Sequence, residues 1–425
     1  MNSSPIPSSL IRSPNLDGVG VSAMRWAVLV GLAVCAGSAF AHGEVDDVLP
    51  TEPGVVFEAA AALRHLSADA VLPSARLSGY LLQGDAGPAL RGTQLEHGTV
   101  GLAVRLDGTW GAQWVLGKHG SDPAHVEAAW LQARHDTDDA TWLLSAGRQQ
   151  PAMGAVLGGA GHLDRFGLVP LAVRMAVNDQ WIDDGLQLGW RRDMGASTWR
   201  ADAGLWRGQA FPGAAHGGAA PSLHAGWTQG PWAVDAVAAR FEPQGRGSAI
   251  GGTAGHSHSA PVCDAALNKV VCFSGRSQLA AASWRWSGLN AEQPWPVTLT
   301  AAGWLRHETG AIESANGQAD YRGNNRGGWL EALWHVRPQW ELGWRGERLS
   351  ASHRLNGPGA SLLASETQLN AYTPSNRHTL MLGYSPADWA DVRVEAGRES
   401  VGGTRVSFAS VRLVFNYATM PVGGR

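Results

Sequence analysis

The sequence predicts a transmembrane antiparallel β-barrel of about sixteen strands, and three observations carry that prediction. Apolar and polar side chains alternate with a period of two along most of the chain. The connections between such runs are alternately short and long. An export signal opens the chain, and no apolar run beyond residue 41 reaches the length of a membrane-spanning helix.

The export signal comes first. Arg25 precedes an apolar stretch over 26–36, and Ala39 and Ala41 form an A-x-A cleavage pattern. Residues 1–41 therefore read as a signal peptide, with Met24 as an alternative start. Cys35 is a poor lipidation site because the bulky Val34 precedes it. Residues 42–73 read as a periplasmic N-terminal segment. Alternation is weak over 55–66, which is open between an extra strand and a short helix. A net charge of −3 and only 16% charged residues give no reason to expect a nucleic-acid partner. Lys118 and Lys269 are the only lysines, so arginine carries nearly all the positive charge.

The stretch WHVRPQWELGW (334–344) shows the strand grammar. Trp334 and Val336, then Trp340, Leu342 and Trp344, share one face, while His335 and Glu341 take the other, and Pro338 marks the turn between them. The same pattern recurs over 186–191, 199–205, 223–228, 232–238, 280–286, 380–384, 392–396 and 411–417. Short turns fall near 107–108, 135–140, 192–197, 229–231, 289–295, 337–338 and 386–390. Longer polar or Gly-rich stretches fall near 85–97, 119–124, 150–183, 208–221, 242–276, 308–327 and 350–376, with a brief one at 400–404.

Seven short-turn hairpins make fourteen strands. An opening strand near 74–84 and a closing one near 405–417 bring the total to about sixteen, so the barrel is expected over 74–417, with a tail at 418–425. Both ends then lie on the short-turn side, the layout of a bacterial outer-membrane barrel. A strand of about ten residues rises roughly 33 Å and, tilted near 45°, spans roughly 23 Å. Trp, Leu, Val and Ala are expected to meet lipid, and Arg, Glu, Asp, Gln and Ser a watery lumen. Trp232, Trp340 and Trp389, near strand ends, suit an interfacial girdle. A secreted sandwich or propeller would explain the alternation, with tryptophans lining a carbohydrate cleft, but not the regular exchange of short and long connections. Closure has its own physical reason, since an open sheet edge in hydrocarbon leaves backbone groups unpaired.

Three stretches, LDGTWGAQWVLGK (106–118), VEAAWLQARHDTDDATWLLSAGRQQPAMG (126–154) and NDQWIDDGLQLGWR (178–191), resemble the phosphate-selective porin O and P family. The resemblance covers most of 74–417. It implies a sixteen-stranded channel, a homotrimer in outer-membrane lipid, and a third external loop folded into the pore; 150–183 is the third long loop here. The chain departs from the family in its scarcity of lysine. The expected lumen face carries Arg134, Arg191, Arg200, Arg285, Arg306, Arg345, Arg393 and Arg412 against Asp202, Asp235, Glu308, Glu331, Glu341, Glu347 and Glu395. That lining is mixed rather than cationic, so phosphate selectivity is not carried over. The chain also runs past Tyr417 as ATMPVGGR, whereas many barrels end on an aromatic residue read by the barrel-assembly machinery.

A channel selects by rings of charge at a constriction. The candidates on the inward loop are Asp164, Arg165, Arg174 and Asp179, with His162, Asp183 and Asp184 nearby and Arg191 and Arg200 on the facing wall. Arg285, Arg306, Glu331, Glu341, Arg345, Arg393, Glu395 and Arg412 are expected to line the pore. The competing reading is that the loop charges form salt bridges that merely hold the loop to the wall.

The loop GTAGHSHSAPVCDAALNKVVCFSG carries His256, His258, Cys263 and Cys272. In an exported chain the two cysteines read as a disulfide, leaving His256 and His258 as weak metal candidates. No GxSxG, HExxH, P-loop or CxxC stands in a supporting context, so neither catalysis nor a cofactor is expected. The sequence thus points to a water-filled channel for passive diffusion of small hydrophilic solutes or ions, with anions such as phosphate among the candidates. One alternative is a zinc or copper uptake channel or receptor using the His-bearing loop; another is a secreted β-rich carbohydrate-active protein.

Overall fold

The computed structural model describes residues 49–50, 52–75, 77, 79–81, 91–120, 123–157, 164–249, 263, 270–288, 296–369 and 374–419. The wall strands are β1 (Gly54–Ala68), β2 (Gly92–Arg105), β3 (Trp110–Lys118), β4 (His125–Asp136), β5 (Thr141–Gln149), β6 (Asp183–Met194), β7 (Ser197–Trp206) and β8 (Ala220–Gln229). They continue as β9 (Trp232–Phe241, resuming at Arg246–Ala249), β10 (Val270–Ser287), β11 (Val297–Ser314), β12 (Gly317–Arg337), β13 (Trp340–Asn356), β14 (Ser375–Ala387), β15 (Ala390–Val401) and β16 (Thr404–Ala418). The two pieces of β9 both pair with β10, so the 17 segments of the sheet make sixteen strands. β1 pairs antiparallel with both β2 and β16, which closes the barrel and leaves no free edge.

The barrel opens at Gly54, not near residue 74, and the expected periplasmic segment 42–73 gives way there to a full wall strand. The physical reason is that both faces of β1 are largely apolar. Phe57 and Leu63 point outward, while Val56, Ala60, Ala62 and Leu66 are buried inside. Val56 packs with Leu49, Ala103 and Trp130, and Leu66 with Leu72, Leu168 and Phe408. With little polar contrast, period-two reasoning has little to read. The described residues of the expected opening strand (74–75, 77 and 79–81) belong instead to the connection after β1, where Leu77, Tyr80 and Leu81 are buried, and 82–84 lie outside the described residues.

Six of the seven expected short turns fall where the alternation puts them, and the seventh, 289–295, lies outside the described residues. At 106–109 the Asp107 carboxylate accepts the N–H groups of Thr109 and Trp110 at 2.7 Å each, which closes the turn and holds that carboxyl below its usual range. The opposite end departs from expectation at 308–327. There β11 and β12 run to 18 and 21 residues and meet in a tight turn at Ala315–Asn316. Its polar sequence reads as a loop because strands that project beyond hydrocarbon need no apolar face.

The outer face carries Leu131, Leu144, Leu188, Leu305, Leu330 and Leu380, all solvent-exposed in the isolated chain. Leu380 keeps 62% of its surface, which only a lipid neighbour makes tolerable over a whole belt. Exposed tryptophans Trp110, Trp142, Trp199, Trp232, Trp340 and Trp389 ring the short-turn end. Trp340 lies 4.6 Å from the ring of Tyr384. Not every tryptophan faces lipid, however. Trp130, Trp181, Trp206, Trp304 and Trp329 are buried inside the barrel.

Candidate channel constriction

The described parts of 150–182 lie within the barrel. Residues 154–157 form one 3-10 turn, and α1 (Leu171–Val177) is buried at all seven positions. Six of its seven residues are apolar, and a helix buried on every side belongs in a core. Here that core is built inside the barrel from α1, Val156, Trp181, Trp206, Phe241, Trp304 and Trp329. Asn178 ends the helix at φ 58°, returning its N–H to the Arg174 carbonyl at 3.1 Å.

The wall grips this loop by its backbone. Arg412 donates to the Asp164 carbonyl at 2.9 Å and Arg64 to the Gly167 carbonyl at 3.2 Å. Arg393, Arg345, Arg377 and Arg306 donate to the carbonyls of Asp164, Leu168, Val169 and Met175. Carboxylates take the N–H groups in turn: Glu395 accepts from Gly167 at 2.6 Å, Glu347 from Leu171 at 2.6 Å, and Asp235 from Ala155 at 3.0 Å. Both signs of charge are needed because a backbone offers both donors and acceptors. Gly167 lies so close to the wall that a Cβ there would meet Arg412 Cδ at 2.6 Å.

The charges are also paired among themselves. Arg377 and Arg345 donate to Glu347 at 2.7 and 3.1 Å, and Arg412 and Arg64 to Glu96 at 2.8 and 2.9 Å. Arg246 donates to Glu308 at 2.7 Å, and Arg345 also covers the Phe166 ring at 4.5 Å.

The predicted residues thus separate into two groups. Arg306, Arg345, Arg393, Glu395 and Arg412 point inward, as the alternation requires, but are buried under the loop instead of meeting open water. Arg174 pairs with Asp179 at 2.9 Å within the loop, and Arg200 with Asp202 at 2.8 Å on β7. Asp183 accepts from Gly208 and Gln209 and so ties down the base of the next connection. Solvent reaches Arg165, Arg191 and Arg285. Arg165, with 42% of its side chain exposed, stands 3.5 Å from Glu341, which His335 approaches at 3.3 Å. Glu331 faces Arg345 across the strand pair at 3.8 Å. Burial pushes the Asp164 carboxyl up to about 6, against the pull of Arg345, Arg393 and Arg412.

Arg64, Glu96, Arg377 and Glu399 take part in this network without having been singled out by sequence. Arg64 lies in the unrecognised β1, and the others sit at ends of stretches whose polarity reads as loop. Cys263 and Cys272 form a disulfide with Cα atoms 5.5 Å apart. His162, His256 and His258 lie outside the described residues.

A closed sixteen-stranded wall with an apolar exterior, an aromatic girdle and an inward-folded third loop defines an outer-membrane β-barrel of porin type. Solved structures with the same architecture include the OmpF porin of Salmonella typhi, at 10% identity and TM-score 0.51 over 86% of this chain and 98% of that one. An anion-selective porin from Comamonas acidovorans matches at 9% identity and TM-score 0.51, over 86% and 100%. A loop-deleted OmpT, an outer-membrane protein of Vibrio cholerae, matches at 13% identity and TM-score 0.50, over 85% and 98%. At such identities the likeness shows the fold alone. No protein-family model and no curated protein sequence matches the chain.

Proposed function

We propose that the protein is a passive channel for small hydrophilic solutes and ions, with a weak preference for anions, and not an enzyme. The single observation that carries this reading is the loop held across the inside of a closed barrel by buried arginine–carboxylate pairs. Such pairing neutralises most of the wall charge. Arg165, Arg191 and Arg285 are the arginines of the proposed filter and lining that keep solvent contact, and they tilt the balance toward anions. Phosphate is one candidate permeant, in keeping with the resemblance to the phosphate-selective porins, although the mixed lining argues against strong discrimination. Assembly as a homotrimer in outer-membrane lipid is part of the proposal, and cross-linking before gel separation tests it.

Purified protein in planar bilayers tests the channel directly. Stepwise ohmic conductance with a reversal potential displaced modestly toward anions supports it. Folded, heat-modifiable protein that inserts without conducting would overturn it.

A further inference from the structure

We infer that the inner face of β2–β4, at the long-loop end, holds a binding site for a divalent d-block cation of the zinc class. Three imidazoles converge there on one carboxylate oxygen. The Nε2 atoms of His97, His119 and His125 lie 2.7, 3.2 and 3.6 Å from Glu127 Oε1. His97 and His119 stack at 4.3 Å, and His119 and His125 at 5.2 Å, with their planes 15° and 14° apart. His97, His119 and Glu127 are buried, and their ligand atoms lie within 4.8 Å of one another.

The backbone is shaped for this gathering. A register shift in the β1–β2 pairing turns both Glu96 and His97 inward, so neighbouring residues serve the arginine row and the histidine cluster. A second shift, between β3 and β4, lets Glu127 point in where the regular pleat would not place it. Gly117 clears the space: a Cβ there would lie 1.9 Å from Glu127 Oε1.

The chemistry fits a metal. Neutral imidazoles and a carboxylate are the ligands that zinc and its neighbours take, at about 2.0–2.2 Å in tetrahedral array. That geometry puts ligand atoms about 3.3 Å from one another. The observed nitrogen–oxygen separations straddle this value, so small side-chain rotations would admit the ion. Three imidazole nitrogens and one carboxylate oxygen gathered at this spacing offer four electron-pair donors to a single dication. This inference does not depend on the channel reading.

Equilibrium dialysis of the full-length, chelator-treated protein in detergent against zinc tests it, with cobalt(II) absorption as the reporter of coordination. One zinc per chain is expected. Losing an outer-shell partner costs 10–100-fold in affinity, so Glu127→Gln and His97→Ala should each weaken binding by about 100-fold or more. A His256→Ala/His258→Ala double variant should keep the zinc. Heat-modifiable migration verifies the folding of each variant, and His119→Ala, at the strand end, substitutes for any that fails. Absence of stoichiometric zinc in the wild type would overturn the site. So would undiminished binding in the folded Glu127→Gln and His97→Ala variants, or loss of the zinc in the double variant alone. Conductance of the zinc-free protein reports separately on the channel.

Discussion

Replacing Glu347 by glutamine should release the inward loop. Glu347 has no exposed side-chain surface, and it joins the Leu171 N–H at 2.6 Å to Arg377 at 2.7 Å and Arg345 at 3.1 Å. Glutamine keeps the volume but removes the charge that offsets two buried guanidinium groups. Breaking a buried pair by removing one partner costs about 3–5 kcal/mol. Glu399, 3.6 Å from Arg377, and Glu331, 3.8 Å from Arg345, moderate the loss, which places the effect near 3 kcal/mol. That is about a 150-fold shift from docked to undocked loop, at tenfold per 1.4 kcal/mol. Part of the cost can be absorbed by loop release while the barrel stays closed. Limited trypsin digestion should then cut after Arg165 or Arg174 far faster than in the wild type, and single channels should become noisier. Unchanged protection and unchanged channel noise in a folded Glu347→Gln barrel would refute the claim that wall charges dock the loop.

Other outcomes follow from the same geometry. Arg165→Ala should lower the anion-to-cation permeability ratio by up to about fivefold, since a unit charge about 4 Å from a passing ion in water is worth about 1 kcal/mol; reversal potentials in a salt gradient measure it. Asp164, raised from 3.8 to about 6, is ionised at neutral pH and takes up a proton as pH falls through 6. The folded state then holds more protons than the unfolded one between those values, so this group favours folding as pH falls from about 6 to about 4. The same protonation removes a negative charge from the loop, and reversal potentials should move toward anions between pH 7 and pH 5. Cys272→Ser should leave conductance intact but quicken proteolysis near residue 263, because a bridge spanning a separation of 9 residues contributes roughly 3 kcal/mol to local order on the chain-entropy model.

Sequence reading succeeded wherever one face met lipid and the other met charge. In β13, Trp340, Leu342 and Trp344 oppose Glu341 and Arg345, and the hairpin follows directly from that contrast. It failed wherever the contrast disappeared. β1 is largely apolar on both faces, with Arg64 an exception on the inner one. In the distal halves of β11 and β12 the lipid-type contrast is lost because the outward face is polar (Glu313, Asp320, Arg322, Asn324) while Ile312, Ala319 and Tyr321 turn inward. The inward tryptophans, Trp206 and Trp304 among them, were hidden because a barrel lumen is normally wet and only the folded loop makes it dry. The site was legible as a set of inward charges but not as a network. Alternation says which way Arg412 or Glu395 points, whereas its partner on the loop depends on contacts more than 200 residues apart in sequence. The histidine cluster was invisible for a related reason, since bulges set His97 and Glu127 and simple parity misplaces them.

The central claim, that every second side chain of the wall touches hydrocarbon, is tested most directly by spin-label accessibility along β13. Single cysteines introduced at positions 340 to 345, in protein reconstituted in bilayers, would be labelled and probed with oxygen and a water-soluble nickel complex. Oxygen contact should be high for Trp340→Cys, Leu342→Cys and Trp344→Cys and low for Glu341→Cys, Gly343→Cys and Arg345→Cys. A flat profile, or one with the opposite phase, would contradict the barrel as described.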